Sequence, residues 1–494
     1  MNGTPVVTVD EMKRLEKRAF AEGESDQKYM ENAGAGIAAA VEKFFVTPTS
    51  DTIYLLIGKG NNGGDGFVAG EILLQKGFSV LAYHLYPIEE CSPLSQKMAK
   101  RFAKAGGKMI HLQSEPTFEK GIILDGLIGT GFQGAAEGFL AEVIEMANKS
   151  QLPIFAIDIP SGLNGNTGEV QSIAIKAHTT LFLGLPKIGF YLKEGWNHVG
   201  KLVQVDFGMP ERFVEDADPI AYLVSQEKAK KALPKIERSR HKYEAGYVLA
   251  IAGSPSMSGA AMMSCLATLK AGAGIIRLFY PEEMKTELTT APYELIKEAW
   301  NLEDDTRIFE EAKRAKALLI GPGMGRTEKA ATAAKNILAK TTLPTVLDAD
   351  ALYYLAQDKE MSLPEITLLT PHHQEMLRIL DAPPTIENCL SYCKKKEVTL
   401  VLKGAPTIIF HPHTKPLIIP HGDPGMATAG TGDVLTGILA AFLAQGLDPR
   451  NAAGLGTFLH ALAGEIAACE ETSYGIIATD LIHFLPEAIQ ALQH

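Results

Sequence analysis

The sequence has 494 residues, of which 46% are hydrophobic and 21% are charged, a composition that predicts a folded protein and argues against intrinsic disorder. Its formal net charge of −11 argues against nucleic acids and anionic membranes as partners, because binding to them depends on Lys and Arg neutralising phosphate. The five cysteines form no C-x-x-C pair, so they predict reduced thiols and not a disulfide framework.

The N-terminal segment turns directly into a charged, helix-like pattern and lacks the apolar stretch of a signal peptide. No apolar run approaches the roughly 20 residues that a membrane-spanning helix needs. We therefore expect a cytoplasmic protein with small-molecule ligands and no membrane partner. We also expect a homo-oligomer.

The first half of the chain begins with two helical patterns, at 9–22 and 26–45, and continues with short apolar runs separated by amphipathic segments. This alternation predicts a mostly parallel sheet with helices on both faces. The runs lie at 52–58, 78–86, 121–126, 153–158, 179–184 and 201–208.

A domain junction is predicted at MPERFVEDADPIAY (209–222), where two prolines and an acidic cluster interrupt the alternation. We place one domain at 1–215 and a second at 225–494. The second domain repeats the pattern of apolar runs and ends in long helical patterns from about Thr431. Its runs lie at 246–254, 274–280, 316–323, 344–350, 366–370 and 398–410.

The glycine-rich stretch GKGNNGGDG (58–66) follows the first apolar run and satisfies G-x-G-x-x-G. Neither familiar nucleotide motif fits. A dinucleotide site needs an acidic residue at the end of the next strand, and the run at 78–86 has none. A P-loop needs Lys and Ser or Thr where this chain has Asp65 and Gly66. A simple tight turn is the alternative interpretation.

Polar side chains follow three strands of the first domain: Asn61, Asn62 and Asp65 after the first, Asp125 after another, and Asp158 and Ser161 after a third. Ligands of parallel sheets bind beyond the carboxyl ends of the strands. If the oxygen atoms converge there, they suit a hard cation. The amides of GTGFQG (129–134) could bind a phosphate. Asp158 is a candidate general acid or base, with a turn-forming role as the alternative.

The motifs MENAG (30–34), GKGNNGGDGF, DGLIGTG (125–131), DIPSGLNGNTG (158–168) and PKIG (186–189) resemble those of the NAD(P)H-hydrate epimerase domain, the YjeF N-terminal family. The resemblance implies a Rossmann-like three-layer fold and interconversion of the R and S epimers of hydrated NADH or NADPH. It places Asp158 at the reacting ring and a potassium ion at Asn62, Asp125 and Ser161. The residues implied to bind the hydrated nucleotide are Asn61, Asn62, Gly63, Gly64, Asp65, Gly129, Thr130, Gly131, Phe132, Gln133, Gly134, Ala135 and Asp158.

In the second domain, ATAGTGD (427–433) opens a helical pattern. Its backbone amides and the helix N-terminus predict an anion site, and Asp433 could accept a proton from a substrate hydroxyl during phosphoryl transfer. A capped helix start is the alternative.

Further loops follow the other strands of this domain: 252–261, 321–326, 348–352 and 370–376. Lys403, at a strand end, suits nucleotide phosphates. His372 and His373 are rival candidates for a ligand contact, and a solvent-facing histidine at a helix start is the alternative for either. HPH (411–413) looks like a metal pair but is interpreted as a surface turn.

These second-domain motifs resemble the ADP/ATP-dependent NAD(P)H-hydrate dehydratases, whose fold is ribokinase-like. The resemblance implies phosphorylation of the ring hydroxyl of the S epimer and elimination of phosphate, with Asp433 as the base, ADP or ATP as co-substrate and Mg²⁺ as cofactor. Ala260, Gly325, His372 and Asp433 would contact the hydrated nucleotide. The residues implied to bind ADP are Lys403, Gly404, Ala405, Pro406, Thr407, Ala429, Gly430, Thr431 and Gly432.

The chain departs from the dehydratase pattern near the nucleotide, where His421 and Asp423 replace asparagines, and also in HKYEAGY (241–247) and TPHHQEM. The added negative charge of Asp423 predicts weaker nucleotide binding unless a cation offsets it.

The sequence thus predicts an α/β protein of two three-layer αβα domains that together repair hydrated NAD(P)H. The alternative is a small-molecule hydroxyl kinase of the ribokinase-like class with a non-catalytic N-terminal domain that binds a ligand or a partner.

Overall fold

A computed structural model describes residues 1–45, 51–132 and 134–493 of the chain. The chain folds into two compact units. The first unit is Pro5–Ala221, and the second unit runs from Tyr222 onward and includes Met1–Thr4. The division falls inside the segment 209–222.

The first unit contains a parallel sheet of seven strands in its described part, in the order β4-β3-β2-β5-β6-β7-β8. Its strands read as continuous apolar runs because both faces are covered. The strands of the unit are β1 (Pro5–Val6), β2 (Thr52–Ile57), β3 (Ser79–His84), β4 (Lys108–His111), β5 (Gly121–Gly126), β6 (Ile154–Ile157), β7 (Thr179–Leu183) and β8 (Lys201–Val205).

Helices cover both faces of this sheet. The helices are α1 (Val9–Ala21), α2 (Asp26–Phe45), α3 (Asn61–Gln75), α4 (Pro93–Lys104), α5 (Gly138–Lys149), α6 (Gly195–Val199) and α7 (Glu211–Glu215). Residues of α2, α3 and α4 share one hydrophobic core with β2, including Val41, Phe67 and Phe102. Residues of α5 form a separate core on alternate strand positions, including Val143 and Leu56. Strand side chains alternate between faces, so the unit has three layers.

The second unit holds the strand order β9-β18-β17-β16-β15-β14-β13-β10-β11-β12. The β16–β17 and β17–β18 pairs are antiparallel and the others are parallel. The strands are β9 (Ala221–Leu223), β10 (Tyr247–Ile251), β11 (Ile275–Pro281), β12 (Ile296–Trp300), β13 (Ala317–Ile320), β14 (Thr345–Leu347), β15 (Thr367–Leu369), β16 (Thr399–Leu402), β17 (Thr407–Phe410) and β18 (Leu417–Ile419).

Helices α9, α15, α16 and α17 share one core with alternate residues of this sheet, such as Val248 and Leu319. The intervening residues Leu249 and Leu318 point to the opposite face and are also buried, so this sheet too is covered on both sides. The helices are α8 (Gln226–Ala232), α9 (Ser258–Lys270), α10 (Thr306–Ala312), α11 (Glu328–Lys340), α12 (Asp350–Gln357), α13 (His373–Leu380), α14 (Ile386–Lys396), α15 (Thr431–Ala444), α16 (Pro449–Glu471) and α17 (Ala478–Gln493).

The predicted fold class is confirmed, with three differences in detail. Strands β4 and β12 were not predicted, because both are edge strands whose largely exposed side chains break the apolar pattern. The run 398–410 is a hairpin of β16 and β17 and not one strand. Helix α16 is long and apolar enough by composition to cross a membrane, but most of it is buried inside the unit.

Candidate functional sites

Each sheet reverses its strand order at one point, and the candidate residues gather there. In the first unit, β2 and β5 are neighbours, although the chain visits β3 and β4 between them. In the second unit, β10 and β13 are neighbours in the same way. The two connections leave such a pair of strands in opposite directions, which opens a crevice beyond their carboxyl ends. Candidate residues line the crevice of the first unit, and in the second unit Ala260 and Gly325 follow β10 and β13.

The crevice of the first unit is a cleft of about 520 Å³. It draws together residues from the ends of β2, β5, β6 and β7 and from helix α1. The lining residues are Lys13, Glu16, Lys59, Gly60, Asn61, Asn62, Asp65, Tyr86, Leu127, Ile128, Gly129, Thr130, Gly131, Phe132, Leu140, Asp158 and Leu183.

The stretch 61–66 is helical, whereas the sequence analysis treated it as part of a glycine-rich loop. Helix α3 begins at Asn61, and no side chain caps its N-terminus. The glycines face the protein: a Cβ at Gly63 would lie 2.8 Å from the carbonyl oxygen of Gly58, and one at Gly64 would lie 2.6 Å from Met30 Cε. These glycines therefore let α3 pack closely, while Asn61 and Asn62 line the cleft.

Two of the three residues predicted to hold a cation, Asp125 and Ser161, are in contact behind the cleft. Ser161 Oγ donates to Asp125 Oδ1 at 2.6 Å, and Ser161 N donates to Oδ2 at 2.8 Å. Burial raises the pKa of Asp125 to about 6, against the effect of these hydrogen bonds. Asn62 lies against the same loop, because a Cβ at Gly129 would be 3.3 Å from its Cβ, and its buried Nδ2 has no hydrogen-bond partner.

Asp158 lines the cleft at the end of β6 and is paired with a buried lysine. Lys187 Nζ lies 2.5 Å from Asp158 Oδ1 and also donates to the Leu183 carbonyl oxygen at 2.8 Å. The backbone N–H of Leu183 donates to Asp158 Oδ1 at 3.1 Å. Asp158 has a positive φ of 62°, a conformation that costs free energy and often marks a functional position. These contacts fix the position of the Asp158 carboxyl group in the cleft.

Two more carboxyl groups line the same cleft, from Glu16 on α1 and Asp65 on α3. Burial, and next the negative charge of Asp158, raises the pKa of Glu16 to about 7. The same two causes, in the same order, raise the pKa of Asp65 well above its ordinary value. The cleft therefore combines an ion-paired carboxyl group, that of Asp158, with two carboxyl groups whose pKa is raised.

The predicted binding loop at 129–135 divides between two cavities. Residues 129–132 line the main cleft, and Ala135 lines a neighbouring cavity of about 410 Å³. Tyr86 and Leu140 line both cavities. Gln133 lies outside the described residues, and Gly134 has a φ of 107°, which favours glycine.

In the second unit, the predicted anion site is the N-terminus of α15. Gly430, with a φ of 96°, precedes the helix, and no side chain caps its amides. A Cβ at Gly432 would lie 3.2 Å from Lys403 Nζ, so the lysine lies directly beside the first turn. An uncapped helix start beside an ammonium group suits the phosphate groups of a nucleotide.

Asp433 lies in this first turn, next to a connected set of charged and polar groups. Lys403 Nζ donates to Asp348 Oδ1 at 2.8 Å, and Thr436 Oγ1 donates to Asp348 Oδ2 at 2.7 Å. Burial and then the charge of Asp348 raise the pKa of Asp433 to about 7, while Lys403 opposes the increase. Burial would lower the pKa of Lys403, but the charges of Asp348 and Glu375 lead the effects that raise it.

A buried histidine supports the backbone of the anion site. His460 Nε2 donates to the Thr431 carbonyl oxygen at 2.9 Å, and burial lowers the pKa of His460 to about 4. The imidazole is therefore neutral and fixes the start of α15 without adding charge.

Of the predicted substrate contacts, Ala260 lies in the first turn of α9, next to the loop that contains Gly325. A Cβ at Gly323 would be 3.1 Å from Ala260 Cβ. Asp350 Oδ2 accepts from Gly325 N at 2.8 Å, and Tyr354 donates to the Gly325 carbonyl oxygen. The loop after β13 is thus held by the helix that follows β14.

His372 caps helix α13, which matches the alternative considered for it. Its Nδ1 accepts from the backbone N–H groups of Gln374 and Glu375 at 3.1 and 3.3 Å. The side chain is half exposed, and its Nε2 lies 3.5 Å from Glu375 Oε1. His372 bridges to Lys403 in the sheet, and a Cβ at Gly404 would lie 3.4 Å from His373, so this loop adjoins residues 403–407.

Asp423 and His421, which depart from the dehydratase pattern, form local hydrogen bonds. Asp423 Oδ1 accepts from Gly425 N at 2.8 Å, and Oδ2 accepts from Ser473 Oγ at 2.9 Å. His421 Nδ1 lies 3.1 Å from Glu465 Oε1. These hydrogen bonds compensate part of the charge of Asp423.

Sequence reasoning assigned no role to Glu16, Lys187, Asp348, Asp350 or His460. Lys187 and the two aspartates stand inside stretches that it singled out, PKIG and DADAL, but nothing in the local sequence reveals their partners. Glu16 and His460 lie in helices, and no motif in the sequence around them indicates a functional role. Their positions follow from contacts between distant parts of the chain.

Sequence profiles of two families match the chain. The profile described as YjeF-related protein N-terminus matches residues 26–189, and that described as NAD(P)H-hydrate dehydratase matches residues 248–487. A bifunctional NAD(P)H-hydrate repair enzyme from Moorella thermoacetica is 35% identical, over 99% of this chain and 97% of the relative. One from Thermofilum pendens is 32% identical with the same coverage.

A solved structure resembles part of the chain. A ribokinase-like superfamily protein from Enterococcus faecalis matches 56% of this chain and 98% of its own length, with 28% identity and a TM-score of 0.52.

Proposed function

The chain belongs to the family of bifunctional NAD(P)H-hydrate repair enzymes, and we propose that it epimerises the R and S forms of hydrated NAD(P)H in the first unit and dehydrates the S form in the second. One observation carries the proposal. Each unit sets a carboxyl group beside an uncapped helix start: Asp158 lines the same cleft as the start of α3, and Asp433 lies in the first turn of α15.

In the first unit, the hydrated ring binds in the cleft with its hydroxyl-bearing carbon near Asp158. Asp158, ion-paired with Lys187, accepts a proton from the ring hydroxyl or from water. The amides at the start of α3 and of the 129–135 loop bind the phosphates of the nucleotide.

Asn62, Asp125 and Ser161 fit a potassium ion. They offer amide, carboxylate and hydroxyl oxygens, the ligand type that hard cations prefer. The buried, unpartnered amide nitrogen of Asn62 supports the assignment, because turning this amide by 180° exchanges the nitrogen for an oxygen acceptor. Bound there, a cation would supply a positive charge that offsets Asp125 and joins the loops after β5 and β6.

In the second unit, Asp433 accepts the proton of the ring hydroxyl while that oxygen attacks the terminal phosphoryl group of ADP or ATP. The first amides of α15 and the ammonium of Lys403 stabilise the negative charge of the transferred group. The C–O bond then breaks, phosphate leaves, and loss of a proton from the neighbouring ring carbon restores the double bond of NAD(P)H.

Mg²⁺ fits this unit as a companion of the nucleotide phosphates. Within the described residues, no group of three or more His, Cys, Asp or Glu side chains could hold a metal ion. Mg²⁺ commonly binds substrate phosphates with few protein ligands. We propose that it arrives with ADP or ATP and shields their charge.

The comparisons favour the repair enzyme over a hydroxyl kinase with a non-catalytic N-terminal unit, because relatives of nearly full coverage carry the bifunctional description. The cytoplasmic location and the homo-oligomeric state stay predictions.

The test supplies the purified chain with the R epimer of hydrated NADH and ADP or ATP, and follows absorbance in the NADH band. We expect NADH to form. The Asp433→Asn variant should convert R to S, measured by chiral chromatography, without forming NADH. Failure of the wild type to convert R to S and failure to form NADH from the S epimer would refute the epimerase and dehydratase assignments respectively.

A further inference from the structure

Glu16 differs from the neighbouring acidic residues of its helix. Glu11 is bonded to Arg14 at 2.8 Å, and Glu22 to Arg18 at 3.0 Å. The side chain of Glu16 has no hydrogen-bond or ion-pair partner among the described residues, although it is partly buried. It lines the cleft that Asp158 also lines. An unpartnered carboxyl group in a cleft is costly unless a ligand or a proton satisfies it.

Inversion at a hydroxyl-bearing ring carbon requires one bond at that carbon to break and to form again on the opposite face. Departure of the hydroxyl as water needs a proton from an acid and leaves a cation conjugated with the ring. Addition of water from the other face gives that proton up to a base. The balanced reaction therefore uses one proton donor and one acceptor on opposite faces of the ring, with no net proton change.

The charged groups around the cleft distinguish these roles. Asp158 is ion-paired with Lys187, a partner that suits a proton acceptor. Asp65 is buried beside it and keeps its proton well above its ordinary pKa. Glu16 has a pKa raised to about 7 by burial and by Asp158, so it can give and regain a proton near neutral pH. The positive charges of Lys187 and Lys13 act on Glu16, and Lys59, which is paired with Glu90, lines the same cleft.

We propose that Glu16 is a second catalytic residue of the first unit: its carboxyl group protonates the departing ring hydroxyl while Asp158 takes the proton of the entering water. The inference rests on the proposed epimerase function. The two carboxyl groups line one cleft and come from different elements, since Glu16 is on α1 and Asp158 follows β6.

The test measures R-to-S conversion by chiral chromatography, without ADP or ATP so that the second unit is idle, from pH 5.5 to pH 9. These limits are about 1.5 to 2 pH units either side of the pKa of about 7. For the wild type we expect kcat to fall as the pH rises through about 7, because the donor must be protonated. Glu16→Gln should lower kcat about 100-fold and change KM less than about twofold, and its kcat should no longer fall through pH 7. Glu16→Asp should have a higher kcat than Glu16→Gln, and its kcat should again fall as the pH rises.

Glu22→Gln is the matched control, because it neutralises an exposed carboxylate at the end of the same helix, and we expect wild-type kinetics. Two results would overturn the role of Glu16: a Glu16→Gln kcat within about twofold of the wild type, or a low kcat that still falls through pH 7. Inactivity of the wild type itself would instead refute the epimerase function on which the inference rests.

Discussion

Lys187 Nζ lies 2.5 Å from Asp158 Oδ1, and the lysine side chain is almost entirely buried. The two residues are 29 positions apart in the chain and meet only because β6 and β7 are neighbours in the sheet. The pair fixes the carboxyl group of Asp158 in the cleft of the first unit.

Breaking this ion pair should cost stability as well as activity. Lys187→Met leaves a buried carboxylate without its counterion, so we expect the free energy of unfolding to fall by about 3 to 5 kcal/mol. Asp158→Asn should lower epimerisation at least about 100-fold. The double variant should be more stable than Lys187→Met and equally inactive. Denaturant unfolding measures the stability of the variants, and chiral chromatography measures their epimerisation. A double variant no more stable than Lys187→Met would contradict the pairing.

Dehydration by the second unit should depend on pH through Asp433. Its pKa is raised to about 7, and the base must be ionised, so kcat/KM for the hydrated nucleotide should rise with pH through about 7. Steady-state kinetics with the S epimer and saturating ADP tests this expectation. A profile without a limb near pH 7 would remove Asp433 as the base.

The same residue should make stability and activity change in opposite directions. The folded-state pKa is above the ordinary value of 3.8, so the stability that neutral Asp433 contributes is complete below about pH 4 and is lost as the pH rises through about 7. The free energy of unfolding of Asp433→Asn, relative to that of the wild type, should therefore be about 2 to 3 kcal/mol higher at pH 8 than at pH 5, because each of the two pH units below the pKa of about 7 contributes about 1.4 kcal/mol. Dehydration is abolished in this variant. Thermal unfolding, followed at the transition that ADP shifts, measures the difference. An equal difference at both pH values would refute it.

His372 can be tested separately as a helix cap and as a ligand contact. His372→Ala removes the acceptor for two backbone N–H groups and should cost about 1 kcal/mol of stability. His372→Asn keeps a capping acceptor and should retain that stability. If the imidazole also contacts the hydrated nucleotide, both variants should raise KM for the S epimer. A KM that rises only in the Ala variant would assign His372 to capping alone.

The glycines near the first cleft should respond differently to alanine. Gly63→Ala places a Cβ 2.8 Å from a backbone oxygen and should cost about 1 to 3 kcal/mol. Gly64→Ala meets the flexible end of Met30 and should cost less. Gly131→Ala meets nothing within 4 Å and should leave stability unchanged, so any increase in KM would report the approach of the nucleotide. Denaturant unfolding ranks the variants, and equal stabilities would contradict the packing role of α3.

Much of the fold could be predicted from the sequence, because a strand buried on both faces must be continuously apolar and helices must connect parallel strands. The runs at 52–58 and 246–254 predicted β2 and β10 for this reason. The strands β4 and β12 were not predicted, because an exposed edge strand does not need a continuous apolar run. The motifs around Asp158 and Asp433 were equally visible, because each is a short stretch that ends a strand or opens a helix.

The sequence by itself determined the fold class, the family and the two carboxylates on which the proposed chemistry depends. The tertiary structure alone decided what surrounds them: Lys187 against Asp158, Asp348 and Lys403 beside Asp433, and Glu16 in the first cleft. It also showed that Gly63 and Gly64 lie in the first turn of a closely packed helix. Burial and pairing set the ionisation of a carboxyl group, and both depend on residues far away in the chain that only folding brings within contact distance.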